Sequence, residues 1–147
     1  MFTVVISGLF LIALTTVIHY EVLRALNSAL PSLNIPSRAK LLLVIFSAFA
    51  AHAIEIVVYG IALFLLVRYG NVGSLTGPTD FSLSNCLYFS AQSYTSLGFG
   101  DYTPNGSIRL LAGAEALNGL LLIGWSASYI YLAMEKFWGE ILENQRK

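Results

Sequence analysis

Thr95-Ser96-Leu97-Gly98-Phe99-Gly100-Asp101-Tyr102 lies between two long apolar segments and directly after a shorter one. Glycine at alternate positions, Gly98 and Gly100, lets the backbone take φ > 0 without a Cβ penalty, so successive carbonyls can turn toward one side of an extended strand. A row of carbonyls on one axis can take the place of the water around a dehydrated cation. A single strand supplies too few oxygens to surround an ion, so this reading requires several copies around an axis.

Working outward, the chain of 147 residues is 56% hydrophobic, with eight basic and eight acidic residues and a mean hydropathy of +0.72. It fits one membrane-embedded domain, and the balanced charge gives no reason to expect a nucleic acid or an acidic polymer as partner. The lone Cys86 excludes an intrachain disulfide and reads as a small apolar side chain packed in a helix. The first apolar run, from Phe2 through Ile18 and on to about Leu30, is long enough to cross a bilayer and reads as a retained helix. Residues 1–37 thus form an N-terminal helix and a linker broken at Pro31 and Pro36, with Ser37 expected to cap the second span. That span covers 39–68. A Gly-, Pro- and Thr-rich surface loop comes next, then a helix over 81–95 with Thr79 or Asp80 as its cap, at about 22 Å too short to cross. The third span covers 107–138, and a short tail, 139–147, closes the chain.

The segment Ser96-Leu97-Gly98-Phe99-Gly100-Asp101 resembles the signature of the pore-loop potassium channels, with Ser, Leu and Phe where Thr, Val and Tyr are commoner. The resemblance extends from Ala39 to Trp138, in the order outer helix, re-entrant helix, filter, inner helix. The segment from Asn118 through Gly124-Trp125-Ser126 is also similar to small bacterial proteins of the ion-channel type that carry one extra helix in front. The resemblance implies an all-α membrane protein: three transmembrane helices plus a re-entrant pore helix and selectivity-filter loop, assembled as a homotetramer among membrane lipid. It implies potassium bound by Ser96, Leu97, Gly98 and Phe99, with Gly100 completing the filter and the Ser96 hydroxyl at the innermost site. It further implies an aromatic cuff at Tyr88 and Phe89 and a gating hinge at Gly119. No cofactor, small-molecule substrate or covalent chemistry is called for.

Other polar residues take expectations from their positions. Asp101 belongs at the outer mouth, where a ring of carboxylates concentrates cations. Tyr88, Gln92 and Glu115 are placed to support the filter from behind, and Glu115, inside an apolar run, needs a hydrogen-bond partner or a proton. Asn118 is expected to face a water-filled cavity. His52 and Glu55, three apart on one helix face, form a pH-sensing or structural polar pair. His19 and Glu21 share no face, and a polar contact between the first two helices is favoured over a metal site.

Basic residues set the orientation. Arg24, Arg38, Lys40, Lys136, Arg146 and Lys147 fall on one side and Arg68 and Arg109 on the other, which places the Pro31 loop and C-terminus in the cytoplasm of a cell (inner) membrane and the filter mouth outside. Tyr129, Tyr131, Phe137 and Trp138 then read as an inner aromatic belt. The functional expectation is passive potassium conduction, with a weakly selective cation channel as the near alternative. Gly98-Phe99-Gly100-Asp101 also spells the G-x-G-D motif of intramembrane aspartyl proteases, whose second aspartate could only be Asp80. A non-conducting accessory protein is the third reading. No Arg repeat suggests a voltage sensor, and the tail is too short for a nucleotide-binding module.

Overall fold

The computed structural model describes residues 1–145, with side chains through Gly139. Four α-helices run in order: α1 (Phe2–Ala29), α2 (Ser37–Tyr69), α3 (Leu83–Tyr94) and α4 (Ile108–Gln145). Three of them, α1, α2 and α4, are long and apolar enough to cross a membrane. At 12 residues, α3 reaches only about 18 Å, well short of a hydrocarbon core of about 30 Å.

Proline sets the first corner. Pro31 ends α1 in a single 3₁₀ turn, Leu30–Ser32, because the ring cannot accept continuation of the helix. Pro36, with φ −58° and ψ 145°, is itself the cap of α2, and its carbonyl receives the N–H groups of Ala39 and Lys40 at 2.8 and 3.1 Å. Ser37 is therefore the first helical residue and not the expected cap.

The stretch after α2 departs from an all-α reading. Gly73–Thr76 (β1) pairs antiparallel with Thr103–Gly106 (β2), in the register Gly73↔Gly106 to Thr76↔Thr103. Leu75, pointing inward, is buried and anchors the ribbon to the core. At Gly73 a Cβ would overlap the Asn105 carbonyl, so the tight pairing depends on glycine there. The ribbon fastens together the two loops that flank α3 and the 96–101 segment. The cap of α3 is Ser82, whose hydroxyl accepts the Asn85 N–H at 3.2 Å, and not Thr79 or Asp80. Those two serve a different contact: the Asn85 side chain donates to Thr79 Oγ1 at 2.9 Å and to the Asp80 carbonyl at 2.7 Å.

α3 lies between α2 and α4, and α1 packs against both of these from behind. Two apolar clusters form. One gathers Val4, Leu11, Tyr59, Leu63, Phe89, Tyr94, Ile108 and Leu111 at the ribbon end. The other gathers Leu23, Leu26, Leu30, Val44 and Phe137 at the Pro31 end. Phe137 thus packs inside the chain, unlike the exposed Tyr131 and Trp138, and leaves the expected aromatic belt. Most of each spanning segment's apolar surface faces away from the chain, as it does when the surroundings are lipid or further copies. The helix of α4 continues through Gln145, so the expected tail is largely helical, and Arg146 and Lys147 lie outside the described residues.

Candidate functional site: the segment after α3

Residues 96–101 leave α3 with the amides of Ser96, Leu97 and Phe99 turned back toward it. The N–H of Ser96 donates to the Ser93 carbonyl at 2.9 Å and that of Leu97 to the Gln92 carbonyl at 2.9 Å, while the Phe99 N–H reaches Gln92 Oε1 at 3.2 Å. Backbone handedness alternates along the segment. Ser96, Gly98 and Gly100 have φ of 56°, 56° and 81°, while Leu97 and Phe99 keep negative φ. Such alternation swings consecutive carbonyls onto one side, because each left-handed residue reverses the flip that an ordinary strand makes. Among the described residues no donor of the chain reaches the carbonyls of Ser96 to Phe99. Gly98 and Gly100 supply this geometry freely, whereas Ser96 occupies a left-handed conformation that costs an L-residue about 1–2 kcal/mol.

Gln92 is the pivot of the support. Its Oε1 takes the Phe99 amide and its Nε2 donates to Asp101 Oδ1 at 3.1 Å, so one buried side chain fixes two positions in the segment. Desolvation pushes the Asp101 carboxyl up, but hydrogen bonds from Gln92, then Tyr88 and the amides of Asp101 and Tyr102, outweigh it and hold the group below the usual carboxylate range. Tyr88 stands edge-on to Tyr102, ring centroids 5.9 Å apart, and the Tyr102 hydroxyl meets Thr79 Oγ1 at 2.6 Å. Phe89, expected beside Tyr88 in an aromatic cuff, is buried in the core.

Behind α3 the remaining expected residues separate. Glu115 is buried and accepts from the Ser90 hydroxyl, which also reaches the Ile56 carbonyl; it braces the middle of α3 and makes no hydrogen bond to 96–101 among the described residues. The need for a partner is met, and Glu115 acts on α3, behind the 96–101 segment, through Ser90. Asn118 is also buried and donates to Thr15 Oγ1 at 2.8 Å and Tyr59 Oη at 3.2 Å. It joins α4 to α1 and α2, so the cavity-facing expectation is corrected. Gly119 lies against the Tyr94 main chain, where a Cβ would overlap the Tyr94 carbonyl. Gly119 thus permits close approach of α4 to the end of α3, and α4 is unbroken through this position.

His52 and Glu55 do meet, Nδ1 to Oε2 at 3.2 Å, but as part of a larger group. His19 Nδ1 lies 3.0 Å from Glu55 Oε1, the Tyr94 hydroxyl donates to Glu55 Oε2, and Ser126 Oγ lies 3.1 Å from Nε2 of both histidines. Glu21 stays outside, exposed and paired with Arg24 at 3.1 Å. His19, His52 and Glu55 were legible as polar residues in apolar spans. Tyr94 and Ser126 were not, since Tyr and Ser are unremarkable there and only packing reveals what they touch.

The ion-channel family's sequence profile matches residues 41–136. No curated protein and no solved structure matches the chain. The chain belongs to the ion-channel family, in its two-transmembrane pore-loop type, and is a membrane protein with one helix, α1, ahead of the matched region.

Proposed function

We propose that four copies assemble around an axis running along the carbonyls of Ser96, Leu97, Gly98 and Phe99 and conduct potassium passively through that column. The observation that carries this reading is the alternation of left-handed residues at Ser96, Gly98 and Gly100 with the amides of Ser96, Leu97 and Phe99 turned to α3. Carbonyls free of internal partners are suited to replace an ion's hydration shell. α3 is then a re-entrant pore helix whose C-terminal dipole end points along the ion path and favours a cation. Asp101 lies at the outer mouth, and the excess of basic residues at the Pro31 loop puts that end in the cytoplasm. Leu97 and Phe99, 61% and 65% exposed in the single chain, become packed against neighbouring copies. The same geometry with looser carbonyls gives a weakly selective cation channel. The protease reading is not favoured, because the Asp101 carboxylate is engaged by Gln92 and Asp80 lies in the loop ahead of α3.

Purified protein in liposomes, with tetramers established by native mass, tests the reading. Potassium efflux under a potassium gradient is expected to exceed sodium flux at least tenfold. Comparable fluxes would select the weakly selective channel, and no flux from confirmed tetramers at any voltage or pH would reject conduction altogether.

A further inference from the structure

The polar group at mid-span separates the two apolar clusters, and its contacts can be counted proton by proton. His19 comes from α1, His52 and Glu55 from α2, Tyr94 from the end of α3 and Ser126 from α4. His19, Glu55 and Tyr94 are wholly buried, and Ser126 is nearly so. Six contacts close the group, and two of them, from His52 Nδ1 to Glu55 and to Tyr94, share one ring nitrogen and hence one proton, which leaves five positions for a proton. Glu55 faces His19 Nδ1 at 3.0 Å, the Tyr94 hydroxyl, and His52 Nδ1 at 3.2 Å, which is also 2.9 Å from Tyr94 Oη. Ser126 Oγ faces both Nε2 atoms at 3.1 Å.

With Glu55 ionised and both imidazoles neutral, the group holds four mobile protons: one on each ring, one on Tyr94 and one on Ser126. Four protons on these five positions leave at least one contact as two lone pairs facing each other, whichever tautomer each ring adopts. A fifth proton completes the set. One ring is then imidazolium, donating to Glu55 and to Ser126, while Ser126 donates to the other ring. The charge count agrees, since one imidazolium neutralises one carboxylate in the least polar part of the membrane, where an uncompensated charge is expensive. The other titratable groups near it are Tyr20, whose ring is tilted against that of Trp125 of α4 next to His19, Tyr59 one turn along α2 and Glu115 beyond Tyr94. No Lys or Arg is paired with the group among the described residues. One nitrogen or oxygen from each of His19, His52 and Glu55 lies within 4.8 Å of the others, close enough for a shared metal. Yet every buried polar side-chain atom among the described residues has a hydrogen-bond partner without one.

We propose that this is a proton-binding site: His19 and His52 share one proton across the Ser126 hydroxyl, with Glu55 as counter-ion, and the bound proton fastens α1 and α4 to the end of α3. Passing the Nε2 proton of the charged ring to Ser126 Oγ while the Ser126 O–H proton passes to Nε2 of the other ring moves the charge between the rings without breaking the set. His52, with 19% of its side chain accessible in the single chain, is the ring not wholly enclosed, and the proton enters and leaves the group there. Its loss leaves Glu55 uncompensated and opens one Nε2–Oγ contact, releasing Tyr94 one residue before Thr95 and the filter segment. A second added proton makes the group net positive with no counter-charge.

The chain has only two histidines, both in the site, so histidine-selective ¹⁵N spectra of protein purified without a histidine tag report on it alone. The expected result is three ring N–H protons over the two rings near neutral pH, falling to two as pH rises. In Ser126→Ala the third proton should be lost at least tenfold more readily. Two neutral rings throughout pH 5–8, or identical titrations in the wild type and Ser126→Ala, would overturn the proposal. So would a stoichiometric divalent metal in the purified protein that disappears in His19→Gln. The link to conduction rests on the function proposed above and has its own readout: potassium flux should fall several-fold as the third proton leaves. Flux that stays flat over that range refutes the coupling, whereas no flux at any pH with the ring titration intact rejects conduction and leaves the proton site standing.

Discussion

Gly119→Ala separates a packing role from a hinge role, and the structure fixes the sign. A methyl at Gly119 would overlap the Tyr94 carbonyl, and it would sit 2.9 Å from the carbonyl carbon and 3.0 Å from the ring Cγ. The obstacle is main chain at the end of α3, which has no rotamer to change, so the upper part of the overpacking range, about 3 kcal/mol, applies. Alanine returns about 1 kcal/mol of helix propensity relative to glycine. The net loss is about 2 kcal/mol, roughly a 30-fold change in the folded-to-unfolded ratio. Gly8→Ala is the matched control. Its Cβ meets only Leu111 Cδ1, at an ordinary 3.7 Å, so propensity alone should leave it as stable as the wild type or slightly more so. Denaturation in mixed micelles, followed by the fluorescence of Trp125 and Trp138, reads both. If Gly119→Ala unfolds at the same denaturant level as the wild type while its open probability in bilayers changes, the packing argument fails and the helix flexes at that point.

Other perturbations carry equally definite outcomes. Gln92→Leu removes the acceptor for the Phe99 amide and the donor to Asp101, and potassium flux in liposomes should fall at least tenfold with tetramers intact. Asn118→Leu removes the amide that donates to the Thr15 and Tyr59 hydroxyl oxygens and should cost about 1–3 kcal/mol in the micelle assay while leaving the potassium-to-sodium ratio unchanged, which a cavity-facing residue would not. Because the Asp101 carboxyl is held below its ordinary range, its contribution is complete above the unfolded carboxylate value of about 4 and is lost as pH falls through the lower folded value. Flux should therefore stay level as external pH drops to about 4 and decline only below it, and an earlier decline that vanishes in Asp101→Asn would contradict the assignment.

Much of this architecture was present in one dimension. Membrane spans are long, continuous and punctuated by proline, so α1, α2 and α4 could be placed from hydropathy and from Pro31 and Pro36 alone. The short α3 and the Gly98-Phe99-Gly100-Asp101 motif singled out the 96–101 segment, because glycine takes φ > 0 without a Cβ penalty, as Gly98 and Gly100 do. Tertiary structure decided which way the polar residues turned. Asn118, Glu115 and Gly119 sit within about one turn of one helix and are hard to tell apart by period, yet one reaches α1, one braces α3 and one yields to the Tyr94 main chain. The β1–β2 ribbon was hidden because its strands are four residues each and meet across all of residues 77–102. The partnership of His19 with Glu55 spans 36 residues and that with Ser126 spans 107. Local sequence specifies helices through contacts three and four residues apart, but hydrogen bonds between helices depend on their relative rotation, which only close packing of the whole chain sets.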